Sequence, residues 1–409
     1  MTQSVPNPRA TTLVGFMWVA YFLNYCDRQV VFALFPVLKS ELGLTDTQLG
    51  LTGSLFLWIY GVGCPIAGQI GDRYSKKLLV VLSLVVWSVI TVATGLATSA
   101  LMLLAMRALM GVSESLYMPS AITLTANAHA PEKRSRAIAL LTTAQIVGVV
   151  AGGWFGGWMG DHGHWRGAFF ALGAMGLLYS GPYFLFLRGV HEDAHVESVK
   201  SNAPLAIIAL LKVPTFVLLC VAFPIFVFGL WLLYGWLPTF FHEKFEFNLS
   251  DAAFNATAFL QGASLIGMLS GGVLADWLFK HTIAARMWLL VASLVACAPC
   301  LYALGHSDSL SGTRTAACGF GFFSGFMMGN IFPAAFEIVP ADARASAVGA
   351  LNLFGAAISG CALLFGGIWK ETLGIEGLLT CTAIAYAVAG IAMIAGIKLW
   401  FARDYQRIR

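Results

Sequence analysis

"GQIGDRYSKK", Gly68–Lys77, sets four charges into ten residues between two long apolar runs, and "GVLADWLFKH", Gly272–His281, stands in the same place 204 residues later. A second echo follows, with "PEKRSRA" (Pro131–Ala137) answered by "PADARASA" (Pro340–Ala347). Charged turns that recur at matching places between apolar runs predict a chain built from two similar halves, an arrangement common among secondary transporters.

The composition says where those halves sit. Of 409 residues 58% are hydrophobic and 11% charged, and the mean hydropathy is +0.79, far from a soluble domain. About twelve windows have the roughly 20 apolar residues that cross a hydrocarbon core. The chain therefore reads as an all-α integral membrane protein of twelve transmembrane helices in two pseudo-symmetric six-helix bundles. The longest polar segment between spans, "RGVHEDAHVESVKSNAP" (Arg188–Pro204), predicts an N-terminal bundle over 1–187, a cytoplasmic linker over 188–204 and a C-terminal bundle over 205–409. The first apolar window is too long for a signal peptide and is expected to be retained.

Charge sets the expected orientation. Of the 24 lysines and arginines, Lys39, Arg166, Lys244, Arg314 and Lys370 fall on one side, Arg28 and Arg107 fall within spans, and the other seventeen share the side of Met1. Positive charge gathers on the cytoplasmic face, so both termini are expected in the cytoplasm of a cell (inner) membrane. The net charge of +4 is then a matter of topology, and nucleic acid is not expected as a partner. All eight cysteines lie in predicted spans, where they serve as small apolar packers, while the eight histidines lie in loops or at span ends. No metal, cofactor or disulfide is expected. An embedded enzyme would need a nucleophile beside a base, or a metal triplet, and the spans offer neither.

The pattern in "GDRYSKK" resembles the loop signature of the major facilitator superfamily, and the two-half layout agrees along the whole chain. The resemblance implies a cytoplasmic gate built on Gly68, Asp72, Arg73, Lys76 and Lys77, with Asp276, Arg134, Arg136 and Arg344 as its counterparts. Gly68 is expected to allow close helix contact. Ser75 departs from the glycine usual in the family, and Trp277 replaces the second-half arginine. These charges are also open to a plainer reading, in which they only fix topology.

Only two acids lie deep in spans: Asp27, in "FLNYCDRQVVFALF" (Phe22–Phe35), and Glu114, in "MRALMGVSESLYMPS". Their cationic counterparts are Arg28, next to Asp27, and Arg107, seven residues before Glu114. Seven residues make about two helical turns, which places Arg107 and Glu114 on one face. Glu337 sits near a cytoplasmic end, within expected reach of Arg344. In the superfamily fold, spans one and four both line the central cavity, so the resemblance implies one four-charge cluster. Ionisable groups in a bilayer are costly and face a cavity or a partner. Two readings stay open: ion pairs that lock two spans together, or a proton-linked anion trap.

"NYCDR", the Arg107–Glu114 spacing, "HWRGAFFALG" and "YGWLPTFF" (Tyr234–Phe241) resemble the anion:cation symporter family, which includes bacterial galactonate and hexuronate carriers and the lysosomal sialic acid carrier. The resemblance implies that Arg28 and Arg107 hold a substrate carboxylate while Asp27 and Glu114 carry protons. It further implies a monomeric, proton-coupled symporter of a small organic anion working by alternating access, with sodium left open as the coupling ion. The first two features, with "GDRYSKK", are similar to the spinster family as well, whose members move lysolipids and sphingoid lipids.

Span five, "AQIVGVVAGGWFGGWMG", lacks the Gly-Pro step that resembling drug antiporters carry. Its Gly152, Gly153, Gly156 and Gly157 are read as a close-packing face. Selectivity is expected from Tyr60, Gln145, Tyr234, Gln261, Asn330 and Asn352, each equally suited to an interhelical hydrogen bond. The large apolar residues of "CGFGFFSGFMMGNIF" suit lipid contact, helix packing or an acyl chain.

Overall fold

Thr45 and Gln48 trade hydrogen bonds at one helix start. The Gln48 N–H donates to Thr45 Oγ1 at 3.2 Å and the Thr45 N–H to Gln48 Oε1 at 3.0 Å. Such reciprocal caps satisfy donors that a helix start leaves free, and Ser75, Ser99 and Ser309 cap three further helices. The computed structural model describes residues 10–190, 208–340 and 343–407, apart from the side chains of residues 72, 131, 132, 135 and 345. Most of the expected linker 188–204 lies outside the described residues.

Every regular element among the described residues is helical. The first eight are α1 (Ala10–Ala33), α2 (Phe35–Leu42), α3 (Asp46–Arg73), α4 (Lys76–Gly95), α5 (Ala100–Ser115), α6 (Tyr117–Ala128), α7 (Pro131–Asp161) and α8 (Trp165–Arg188). After these come α9 (Pro214–Phe245), α10 (Leu249–Phe279), α11 (Ala285–His306), α12 (Leu310–Phe336), α13 (Arg344–Gly396), a π-helical turn Ile397–Phe401, and α14 (Ala402–Gln406). Prolines mark two interruptions. Pro36 opens α2, and Pro119, whose ring crowds the carbonyl four residues back, places the break between α5 and α6 at Leu116.

Where twelve spans were expected, ten helical stretches among the described residues are long and apolar enough to cross a membrane. The difference has two sources. α1 is long enough, but Asn24, Asp27, Arg28 and Gln29 dilute its apolar character. At the other end α13 runs for 53 residues, about 80 Å at the helical rise and well over one bilayer thickness. Its backbone turns at Gly374, at φ 66° and ψ 169°, a conformation open to glycine.

The chain groups into two compact units, Met1–Val199 with Phe241–Phe254, and Lys200–Phe240 with Asn255–Arg409. In the first, α1 lies along α7 and α4 along α8. The glycine face foreseen in span five lets α1 in: a Cβ at Gly152 would sit 2.4 Å from the Cys26 Cα, and one at Gly156 2.7 Å from Val30 Cγ2. Trp87, Tyr117 and Tyr183 fill the core, and the Tyr117 hydroxyl donates to the Met17 carbonyl at 2.9 Å.

The second unit holds most of α9 and α10 and all of α11 to α14. Asp404, 1% exposed, caps the start of α9 by accepting from the Thr215 N–H at 3.0 Å and its hydroxyl at 2.8 Å. The Trp236 indole donates to the Leu363 carbonyl at 3.1 Å, and the Tyr386 hydroxyl donates to that of Phe226. Leu101, Leu178 and Val273 stand more than 70% exposed, as expected of surfaces wetted by lipid.

Candidate functional site

Three helices of the first unit bring the buried charges together. α1 supplies Asp27 and Arg28, α5 supplies Arg107 and Glu114, and α3 lays Thr52, Phe56 and Tyr60 against them. All four charged residues are at most 6% exposed. The ion pair that forms joins the Arg28 Nε to the Glu114 Oε2 at 2.7 Å. It therefore links α1 to α5 and bypasses the sequence neighbour Asp27. Consecutive helical residues point about 100° apart and do not face each other, so Arg28 turns to α5 while Asp27 sits within electrostatic reach of Glu114 and Arg107.

Arg107 is fully buried. Its Nε donates to the Thr52 carbonyl at 3.4 Å and its Nη1 reaches the Met110 sulfur at 3.1 Å. Arg107 Nη2, Glu114 Oε1 and Asp27 Oδ1 make no hydrogen bond among the described residues. A buried polar atom without a partner costs free energy, and three such atoms in one cluster of opposite charges mark a place where a ligand or a proton has something to bind.

Aromatic faces complete the wall. The Arg28 guanidinium carbon lies 4.8 Å from the Tyr25 and Phe56 ring centres and 4.6 Å from that of Tyr60, while Arg107 lies 4.9 Å from Phe56. Close backbone approach delivers these rings, since a Cβ at Gly111 would stand 2.7 Å from the Phe56 carbonyl oxygen. Sequence reasoning found Tyr60 and missed Phe56 and Thr52. The available signal was their spacing, since Thr52, Phe56 and Tyr60 recur every four residues along one helix face.

Of the neutral polar candidates Tyr60 joins the cluster, and the other five are placed within one unit or the other. Gln261 Nε2 donates to the Tyr234 hydroxyl at 3.0 Å inside the second unit. Asn330 donates to the carbonyl of Phe326, one turn back, and Asn352 is exposed on α13. Gln145 accepts from Tyr21 at 3.4 Å in the first unit.

The gate residues are corrected in two places. A Cβ at Gly68 would meet nothing within 4 Å, so close helix contact is not what this glycine supplies here. Glu337 pairs with Arg286, a residue sequence reasoning did not single out, and Arg286 also holds Asp276 at 3.0 Å. Arg344 instead stacks on the Phe336 ring at 5.5 Å. Burial pushes the Glu337 carboxyl above its ordinary range against the pull of Arg286. Lys77 donates to the Val190 carbonyl at 2.9 Å and Arg134 to that of His129 at 3.1 Å. Arg73 and Arg136 are exposed and Lys76 half-buried, while the Asp72 side chain lies outside the described ones. Ser75 accepts from the Leu78 N–H as the cap of α4, a role open to serine but not to the glycine usual in the family.

A family profile described as Major Facilitator Superfamily matches residues 17–364. The chain is similar to a probable sulfoacetate transporter of Cupriavidus necator, 29% identical over 66% of each chain. It is also similar to a probable L-galactonate transporter of Escherichia coli, 24% identical over 84% of this chain and 79% of that one. Protein spinster homolog 1 of Xenopus laevis is 29% identical over 57% of this chain and 46% of its own. The match thus spans just under two thirds of the sulfoacetate transporter and under half of the spinster homolog. In fold, the chain superposes on a bacterial homolog of the lysosomal transporter Spinster, crystallised inward-facing and unoccupied, with a TM-score of 0.76 over 98% of this chain and 97% of that one, at 22% identity.

Proposed function

Because the chain belongs to the major facilitator superfamily, and so is a multi-pass membrane transporter and not an enzyme, we propose that it carries a small organic anion together with protons. The observation that carries this reading is the buried cluster of Asp27, Arg28, Arg107 and Glu114 with its unpartnered Nη2, Oε1 and Oδ1 atoms. With all four groups ionised the cluster is neutral. Protons on Asp27 and Glu114 release two guanidiniums, each a strong donor to a carboxylate. Proton binding then strengthens anion binding and the reverse, by the same factor.

Relatives named for sulfoacetate, hexuronate and L-galactonate support an acid as the cargo. In this reading the protein is a monomer of the cell (inner) membrane with both termini cytoplasmic, a symporter that works by alternating access. The test is uptake by proteoliposomes under an imposed pH gradient, acid outside. Concentrative uptake of a sugar acid or other carboxylate that collapses when the gradient is dissipated supports symport; uptake indifferent to the gradient rejects it.

One observation favours the spinster-like alternative, a proton-coupled carrier of lysolipids or sphingoid lipids. The second unit holds a half-open apolar groove of about 470 Å³ lined by Ile225, Phe228, Ile358, Trp369 and Leu378 among others, a volume in the range of small-ligand sites. Competition by lysolipids in the uptake assay, with sugar acids silent, decides for it.

A further inference from the structure

Arg28 and Arg107 rest on the same ring. Their guanidinium carbons lie 4.8 and 4.9 Å from the centre of Phe56, which is 1% exposed. A phenyl face attracts a cation, more strongly where water is excluded, so one side chain sets the positions of two like charges that would otherwise push apart. The ring is itself held: Phe56 stacks on Tyr60 at 5.8 Å, and the backbone beneath it closes on Gly111. The spacing of the two guanidiniums is thus built into α3.

Charge decides what suits that spacing. When Asp27 and Glu114 are both protonated, two guanidiniums are left without a carboxylate. The other titratable groups around them, Tyr21, Tyr25, Tyr60 and Cys64, supply hydroxyls and a thiol but no further carboxylate. A monoanion would neutralise one guanidinium and leave the other as an uncompensated charge at membrane depth, which is expensive. An anion with two acidic heads neutralises both.

Resting on the proton-linked anion reading above, we infer that the site takes a compact dianion, with two acidic heads on a short linker and one head for each guanidinium, and that Phe56 fixes the distance between the heads it accepts. Phe56 is here a specificity-determining residue that acts through the two arginines.

The experiment is calorimetric titration of the purified full-length protein in nanodiscs at mildly acidic pH. Sulfoacetate and ethanedisulfonate are compared with acetate, methanesulfonate and gluconate. The two-headed anions are expected to bind at least about tenfold tighter than the single-headed ones. Phe56→Leu, which keeps bulk but loses the quadrupole, is expected to cost about tenfold for the dianions and close the gap, while Phe56→Trp keeps it. Equal affinities for both groups overturn the dianion inference, and the anion reading survives if Arg107→Ala abolishes that binding. Binding of no organic anion at all overturns both. The ligand comparison uses the unaltered protein, so it decides even if Phe56→Leu fails to fold; a folded Phe56→Leu protein that keeps the preference overturns the role of the ring.

Discussion

The Asp161 carboxylate holds Ser250 by both its backbone N–H and its hydroxyl, at 2.9 and 2.7 Å, and takes the Leu249 N–H at 2.7 Å as well. These amides open α10 and are among the donors that a helix start leaves without partners. A carboxylate there also meets the positive end of the helix dipole. One turn earlier on α7, Gly157 makes the room, since a Cβ would lie 2.5 Å from the Leu249 carbonyl carbon. The cap helps explain why Phe241–Phe254 groups with the first unit although the rest of α9 and α10 does not.

Removing that cap should loosen the segment it holds. Asp161→Ala is expected to cost about 1 kcal/mol at this helix start, and Asp161→Asn less, because an amide oxygen still accepts. Hydrogen exchange followed by mass spectrometry over 245–255 reads the effect. Exchange that quickens in the order wild type, Asn, Ala is the expected result, and unchanged exchange in the Ala variant would show that the three hydrogen bonds do not hold the segment.

Arg107 is the cation whose Nη2 has no hydrogen-bond partner among the described residues, so it should matter most to the cargo. Arg107→Ala is expected to abolish anion binding. Arg107→Lys should bind at least about tenfold more weakly than wild type, because an ammonium cannot grip a carboxylate with two parallel donors. Binding constants in detergent or nanodiscs test both, and a Lys variant of native affinity would mean that Arg107 serves only as a point charge.

The four charges were legible because an acid or a base in an apolar run stands out, and the glycine face because its spacing has one obvious use. Phe56 was not, since a phenylalanine in a span is ordinary and only its position beside two guanidiniums distinguishes it. The partner of Glu337 was out of reach for another reason: Arg286 and Arg344 are both cations at the same end of the second half, and spacing alone cannot say which of them folds back. The span count blurred where composition and geometry part, at α1 with its four polar residues and at α13, where one non-helical glycine, Gly374, joins two helical runs with no polar loop between them.

Packing between α1 and α7 leaves no room for growth at Gly152. A Cβ there would meet the Cys26 Cα and carbonyl at 2.4 and 2.7 Å, backbone atoms that cannot swing aside. Gly152→Ala is therefore expected to cost about 1–3 kcal/mol or more by overpacking, and to displace Asp27 and Arg28, which follow Cys26. The thermal midpoint should fall and anion affinity with it. A Gly152→Ala protein as stable as wild type would mean that the two helices can separate freely.

In the proposed mechanism Glu114 is the partner Arg28 gives up when the anion arrives, and its amide analogue separates charge from shape. Glu114→Gln keeps an oxygen that can accept from the Arg28 Nε but can never hold it as an anion. In the wild type, affinity should rise as pH falls, because the proton that leaves Arg28 uncompensated is the proton that favours the cargo, and linkage makes the two effects equal. In the Glu114→Gln protein that proton is in effect already present. Affinity is expected to sit near the acidic wild-type value at neutral pH and to lose most of its pH dependence, with what remains belonging to Asp27. Exchange of internal for external anion should continue while accumulation driven by a pH gradient fails. Affinity measured from acidic to neutral pH, with counterflow and gradient-driven uptake on the same preparation, checks all three; a variant that still accumulates anion under the gradient would take the coupling proton away from Glu114.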